Sequence, residues 1–201
     1  VPPSPRLRDA RLEAGLERDG YAVIDAFLDA RGVAALAAAC SRLEAPIHQQ
    51  PFGASIMSDD LAFRAAVDRA IRDVLEPRIE AIANGYRYCF ANFLVKTPRP
   101  ASAGPGVGEV PIHQDISMID ESRFEALALW CPVVDTDATN GCLAVIPGSH
   151  RFNDGPRGPR TPFPYRNLDP YFRPRDVPMK AGSAIVYSPK LFHGSRPNRG
   201  P

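Results

Sequence analysis

Pro111-Ile112-His113-Gln114-Asp115 is the stretch around which this chain is read, together with a distant partner, Leu191-Phe192-His193-Gly194-Ser195. In an extended segment, residues two apart project to the same side, so His113 and Asp115 can face one point in space. His193 closes an apolar run and is followed by Gly194 and Ser195. Two imidazoles and one carboxylate can cap one face of a metal ion and leave the opposite positions open. Two of these donors are local and the third is far along the chain, so the site needs a rigid scaffold. A bare His-x-Asp is also what a polar strand end near a turn looks like, and a lone His at a strand end is commonly a satisfied core residue. The scaffold between the two pieces therefore decides the reading.

That scaffold reads as strands. Tyr86, Tyr88, Phe90, Asn92, Leu94 and Lys96 alternate with their neighbours, as the two-residue period of a strand requires. A Pro/Gly-rich loop over 97–108 leads into the His113 motif. Residues 126–134, with Trp130, form a near-continuous apolar run that predicts a buried strand. Asn140-Gly141 signals a tight turn before a strand over 142–146, which Pro147-Gly148-Ser149-His150 closes. Residues 182–187 predict another strand, and 191–193 the last. Residues 151–178 are crowded with Pro, Gly and Arg and have no periodicity. They read as one long surface loop, a functional lid or a disordered segment.

Upstream the texture is helical. A short strand is expected within 20–28. A helix follows over about 30–43, with Val33, Leu36, Cys40 and Leu43 on one stripe. A second is expected over about 59–75, N-capped by Ser58, with Phe63, Val67, Ile71 and Val74 on one face. Pro77 should break or kink it, with helical spacing resuming at Ile79 and Ile82. The fold class is α+β, mainly β. One domain is expected over 1–201, with a helical part over about 1–85 buttressing a jelly-roll barrel over about 86–201.

Composition sets the background. The 201 residues are 44% hydrophobic and 23% charged, with a net charge of +1, an ordinary globular balance with no electrostatic footprint for nucleic acid or an acidic membrane surface. No apolar run approaches membrane-spanning length, and the opening Val1-Pro2-Pro3-Ser4-Pro5-Arg6 does not read as a signal peptide. Cys40, Cys89, Cys131 and Cys142 form no CxxC pair, so reduced thiols in a cytoplasmic protein are expected. His48 and His150 are spare histidines, the first given no ligand role and the second a structural one.

Further pieces then fall into a recognisable order: Arg18-Asp19-Gly20-Tyr21-Ala22-Val23-Ile24, Asn92-Phe93-Leu94-Val95-Lys96, the His113 motif, Trp130-Cys131-Pro132-Val133, Asn140-Gly141-Cys142-Leu143 running to Pro147-Gly148-Ser149-His150-Arg151, Ala181-Gly182-Ser183-Ala184-Ile185-Val186, and His193-Gly194-Ser195 with Asn198. In this the chain resembles the phytanoyl-CoA dioxygenase family of Fe(II)- and 2-oxoglutarate-dependent oxygenases. The resemblance implies a double-stranded β-helix with iron at its mouth. It makes His113, Asp115 and His193 the metal ligands and catalytic centre, and makes Fe(II), 2-oxoglutarate and O2 the cofactors and co-substrates. The implied reaction decarboxylates 2-oxoglutarate to succinate and CO2 and hydroxylates an unactivated C–H bond. Relatives that halogenate carry a small residue where this chain has Asp115, so hydroxylation or a related oxidation is expected over chlorination.

The same resemblance places Asn92, Trp130 and Ser195 at the co-substrate, with Gln114 beside them. Their plain alternatives are a strand-face amide, a core aromatic and a turn hydroxyl. Lys96 is either a partner for an anionic substrate or a solvated strand end. The family holds the distal 2-oxoglutarate carboxylate with an Arg shortly after the second His, a position this sequence does not reach. The expectation is that the chain is truncated before that Arg, with substitution by Arg196 or Arg199 as the alternative; a bidentate Arg is the natural carboxylate partner. Arg151, Arg157, Arg160, Arg166, Arg173 and Arg175 suggest a lid attracting an acidic substrate, balanced in the plainer reading by Asp154, Asp169 and Asp176. Ile119-Asp120-Glu121 is expected to form a second flap. The implied substrate is a small molecule, acidic or carrier-bound. A zinc-type hydrolase using the same donors and a non-catalytic cupin-like binding module remain the alternatives, and dependence of turnover on 2-oxoglutarate separates them.

Overall fold

A computed structural model describes residues 5–43, 51–104, 106–152, 155–158 and 173–200. Its helical part begins with an element that periodicity left unassigned, α1 (Ala10–Asp19). Asp9 caps it by accepting hydrogen bonds from the Arg11 and Leu12 amides at 2.7 and 3.1 Å, which satisfies two donors that a helix start leaves free. Gly20 ends it at φ +83°. A Cβ there would strike the His150 ring and Leu191, so both the left-handed turn and the packing require glycine.

The strand β1 (Tyr21–Ile24) leads to α2 (Ala30–Leu43), whose expected stripe faces inward. After β2 (Phe52–Ala54) comes α3 (Leu61–Ile82). Two expectations change here. The N-cap is Asp60, accepting from Phe63 N at 3.0 Å, rather than Ser58. The helix also continues through Pro77 as one element. Pro77 and Asp73 are both exposed, so the carbonyl that loses its amide partner lies on the solvent side.

The remaining strands are β3 (Leu94–Lys96), β4 (Val110–His113), β5 (Ala128–Trp130), β6 (Leu143–Val145), β7 (Arg175–Val177), β8 (Ala184–Tyr187) and β9 (His193–Ser195). The strand expected from Tyr86 is confined to its last three residues, because only those pair, with β2. Within the stretch read as one loop, 175–177 pairs with β6; residues 153–154 and 159–172 lie outside the described residues.

Among the described residues all pairings are antiparallel, in three sheets ordered β1-β8-β5, β2-β3 and β4-β9-β6-β7. Leu143, Val145, Val177, Met179, Ile185 and Leu191 form a core between the first and third sheets, with Tyr21, Trp130 and Tyr187 packed on it. A second core joins α2 and α3 to Phe93 and Ala184. Each fully buried large side chain contributes about 1.5–3 kcal/mol. Leu191 and Phe192 are both completely buried, so the segment entering β9 is anchored by apolar burial.

Candidate metal centre

β4 and β9 bring the two distant motifs together. His113 lies opposite His193, and Val110 opposite Ser195. That is three steps along β4 against two along β9, so β4 carries a bulge at Pro111-Ile112. Proline suits it, having no amide to offer the ladder. Gly194 sits across from the bulge. A Cβ on it would lie 2.5 Å from the Val110 oxygen, so glycine is what lets the strands approach here. The result is two imidazoles with ring centroids 4.5 Å apart.

Asp115 follows directly, its amide donating to the Pro189 carbonyl at 3.0 Å. Its Oδ1 is 3.8 Å from His113 Nε2 and 3.6 Å from His193 Nε2, and one ligand atom from each of the three residues lies within 4.8 Å of the others. Both rings are oriented by the same device. His113 Nδ1 is 2.8 Å from the Pro111 carbonyl, and His193 Nδ1 is 2.9 Å from the Leu191 carbonyl. A carbonyl only accepts, so each Nδ1 carries the hydrogen and each Nε2 turns a lone pair toward Asp115. This is the outer-shell arrangement that orients a ligating histidine.

The electrostatics are uneven. His193 is 5% exposed. Burial holds its pKa below the usual imidazole range, with His113 acting in the same sense and Asp115 opposing. The side chains of His113 and Asp115 are 41% and 36% exposed, so the cluster has one closed wall and one open side. Tyr187, which the motif reading did not single out, completes the closed wall. Its ring centroid is 4.8 Å from that of His193. Burial, with the nearby Asp115 carboxylate acting in the same sense, pushes the pKa of its hydroxyl well up. Strand parity put Tyr187 and Ile185 on one face of β8; the distance to Asp115 was not legible.

The other expected site residues are distributed around this centre. Gln114 donates from Nε2 to the Lys190 carbonyl at 2.5 Å. Ser195 lies two residues from His193 on β9 and thus on the same face. Trp130 sits on β5 opposite Ile185, partly buried against the core. Asn92 precedes β3, which pairs in the separate two-stranded sheet, and its Oδ1 is buried without a hydrogen-bond partner.

Several charged residues are not where the sequence placed them. Lys96 is neither solvated nor open to an anion. Its Nζ donates to the carbonyls of Gly108, Ser195 and Arg196 at 2.8, 3.3 and 2.5 Å, and burial brings its pKa down to about 8. Arg196 pairs with Asp176 at 2.9 Å, and Arg199 donates to the carbonyls of Arg99, Pro100 and Gly104. Arg157 is buried against Glu121, so it is not a lid residue awaiting an acidic substrate, and Glu121 is pinned. Arg151 donates to the carbonyls of Glu17 and Arg18. His150 sits at 3.2 Å from the Glu17 carbonyl, as the structural role requires. His48, Arg160 and Arg166 lie outside the described residues.

A family model described as Phytanoyl-CoA dioxygenase (PhyH) matches residues 16–201. A phytanoyl-CoA dioxygenase of Arabidopsis thaliana is 36% identical over 104 residues, covering 47% of this chain and 35% of that protein. The chain spans about a third of the length of such curated relatives. Among solved structures, the non-heme alpha ketoglutarate dependent carbocyclase SnoK from nogalamycin biosynthesis superposes with a TM-score of 0.67 at 17% identity, over 98% of this chain and 82% of that one. EctD from S. alaskensis, solved with 2-oxoglutarate and 5-hydroxyectoine, gives 0.56 at 21% identity, over 98% and 73%. These two likenesses concern the fold. No helix among the described residues is long and apolar enough to cross a membrane.

Proposed function

The chain belongs to the phytanoyl-CoA dioxygenase family, and on that premise we propose that it is an Fe(II)- and 2-oxoglutarate-dependent oxygenase that hydroxylates a C–H bond of a small-molecule or carrier-bound substrate. The observation that carries this reading is the pair of imidazoles with Nδ1 committed to backbone carbonyls and Nε2 converging on Asp115. Neutral nitrogen and carboxylate donors in a half-open cluster fit a divalent iron. His113, Asp115 and His193 would hold it. Bound iron with 2-oxoglutarate and O2 supplies the oxidative step, with succinate and CO2 as co-products.

The residues of the chain orient, exclude and hold. His193, backed by Phe192 and Leu191, is the rigid ligand of the closed wall. His113 and Asp115 stand at the solvent side, where co-substrate and substrate enter. Tyr187 packs its ring on His193 and lies near the Asp115 carboxylate. Gln114, Ser195 and Trp130 are assigned to the co-substrate from their places along β4, β9 and β5. Asn92 fits that assignment less well: its orphaned atom is an acceptor, which a carboxylate satisfies only with the amide turned over. Arg196 and Arg199 are held by other groups and are not assigned the distal carboxylate. Retention of the Asp115 carboxylate favours hydroxylation over halide chemistry. The two sheets facing each other across Tyr187 and Trp130 are read as the two halves of a double-stranded β-helix, in one oxygenase domain with its helical part over about 1–85.

The test is O2 consumption and succinate release by the Fe(II)-loaded protein across a substrate panel. The proposal expects both to require 2-oxoglutarate. Hydrolytic turnover without it would install the hydrolase reading, and metal binding with no turnover the binding-module reading.

A further inference from the structure

Arg157 lies in a stretch whose arginines look solvated, yet its side chain is 2% exposed. Each of its three nitrogens is engaged. NH1 and NH2 grip the two Glu121 oxygens at 2.9 and 2.5 Å, and NH1 also reaches the Gly155 carbonyl at 3.3 Å. Nε donates to the main-chain carbonyl of Asp115 at 2.7 Å. The backbones are tied as well: Ser117 N–H donates to the Arg157 carbonyl at 2.8 Å, and Arg157 N–H to Ser117 Oγ at 3.0 Å. The segment from Asp115 to Glu121 is thereby wrapped around one buried guanidinium.

We propose that Arg157 is a positioning residue for the metal centre: anchored by Glu121, it fixes the main chain of Asp115 and through it the direction of the carboxylate. The inference rests on the reading of His113, Asp115 and His193 as metal ligands. Asp115 follows the end of β4, so no ladder holds it. Its amide is held by the Pro189 carbonyl and its carbonyl by Arg157, which clamps the peptide on both sides of the ligand. Only a planar fork can bind a carboxylate with two nitrogens while donating from Nε in another direction. Glu121 is required because a buried cation without its partner is strongly unfavourable. An acidic substrate is not recognised by this arginine, since Glu121 neutralises it.

The experiment titrates the metal-free protein with Co(II), following visible absorption, at a temperature well below unfolding. Arg157→Lys and Glu121→Gln should weaken Co(II) binding about tenfold to a hundredfold, the loss expected when the outer shell of a metal site is disturbed, and should alter the Co(II) spectrum. Lys180→Met, at an exposed ion pair with Asp135, should leave both unchanged. The exchanged variant Arg157→Glu with Glu121→Arg separates positioning from stability. It can re-form the ion pair but removes the Nε contact to Asp115, so any recovered thermal stability should come without recovered Co(II) affinity. Wild-type affinity and spectrum in either folded single variant would overturn the proposal. If the wild-type chain itself bound no Co(II), the metal-centre reading would fail instead.

Discussion

The two walls of the centre are held in place by different forces. On the β9 side, Leu191 and Phe192 are fully buried, His193 is nearly so, and the Phe192 amide donates to the buried Ser149 hydroxyl at 2.9 Å. On the β4 side, His113 and Asp115 are more than a third exposed. They depend on directed polar contacts: the Pro111 carbonyl, the Pro189 carbonyl and Arg157. Burial makes the first wall costly to move and insensitive to any one contact outside the core. The second wall keeps an open face for incoming molecules, so its geometry rests on a few individual hydrogen bonds. A metal centre of the proposed kind must admit reactants and cannot bury all its ligands, and here the division falls between the two strands.

The largest expected effect removes a ligand. Ala at His113, Asp115 or His193 should abolish 2-oxoglutarate-dependent succinate release, and the comparison predicts different stabilities for the two walls. His193→Ala empties a buried position and should cost about 2–3 kcal/mol in urea denaturation. His113→Ala should cost less than about 1 kcal/mol. Equal costs would break the distinction between the walls. Next comes the anchor behind β9. Ser149→Ala leaves the buried Phe192 amide without its acceptor and should lower stability by about 1–3 kcal/mol; no change in the denaturation midpoint would mean that burial alone holds the strand.

A third expectation concerns acid. The folded His193 has a pKa below its unfolded value, so the unfolded chain takes the proton first. The stability contribution is present above the unfolded value of about 6.5 and is lost as pH falls from there toward the folded value. Metal affinity should fall over the same range, because the ligand is the neutral imidazole. A metal-free His193→Asn variant should show a flatter acid dependence of stability than the wild type, and matching slopes would count against the assignment. The smallest effect concerns the ring packed behind His193. Tyr187→Phe removes only a hydroxyl and should weaken metal binding by less than either change at the Arg157–Glu121 pair while leaving the fold unchanged. A greater loss than at that pair would make the tyrosine, not the clamp, the main support of Asp115.

Much of this was legible along the chain. The α2 stripe of Val33, Leu36, Cys40 and Leu43 packs as its spacing predicted, while the last strand, expected over 191–193, begins at His193 and runs to Ser195. α1 was missed because a single buried residue, Leu16, marks its inner face. The strand expected from Tyr86 shortened to Leu94–Lys96 because alternation cannot tell a paired segment from an extended one without a partner. Lys96, Arg157, Arg196 and Arg199 all looked free and are all engaged, since a charge pattern reveals nothing about which carbonyls fold beside it.

By itself, then, the sequence determined the donor types, the helical stripe of α2 and the family, because these depend on residue chemistry and local period. The tertiary structure decided the cross-strand register that sets His113 against His193, the bulge that Gly194 accommodates, the packing of the Tyr187 ring on His193 and the burial of Arg157 behind Asp115. Each of these joins residues far apart along the chain, and a hydrogen bond or a close approach exists only once the packed sheets have placed both partners.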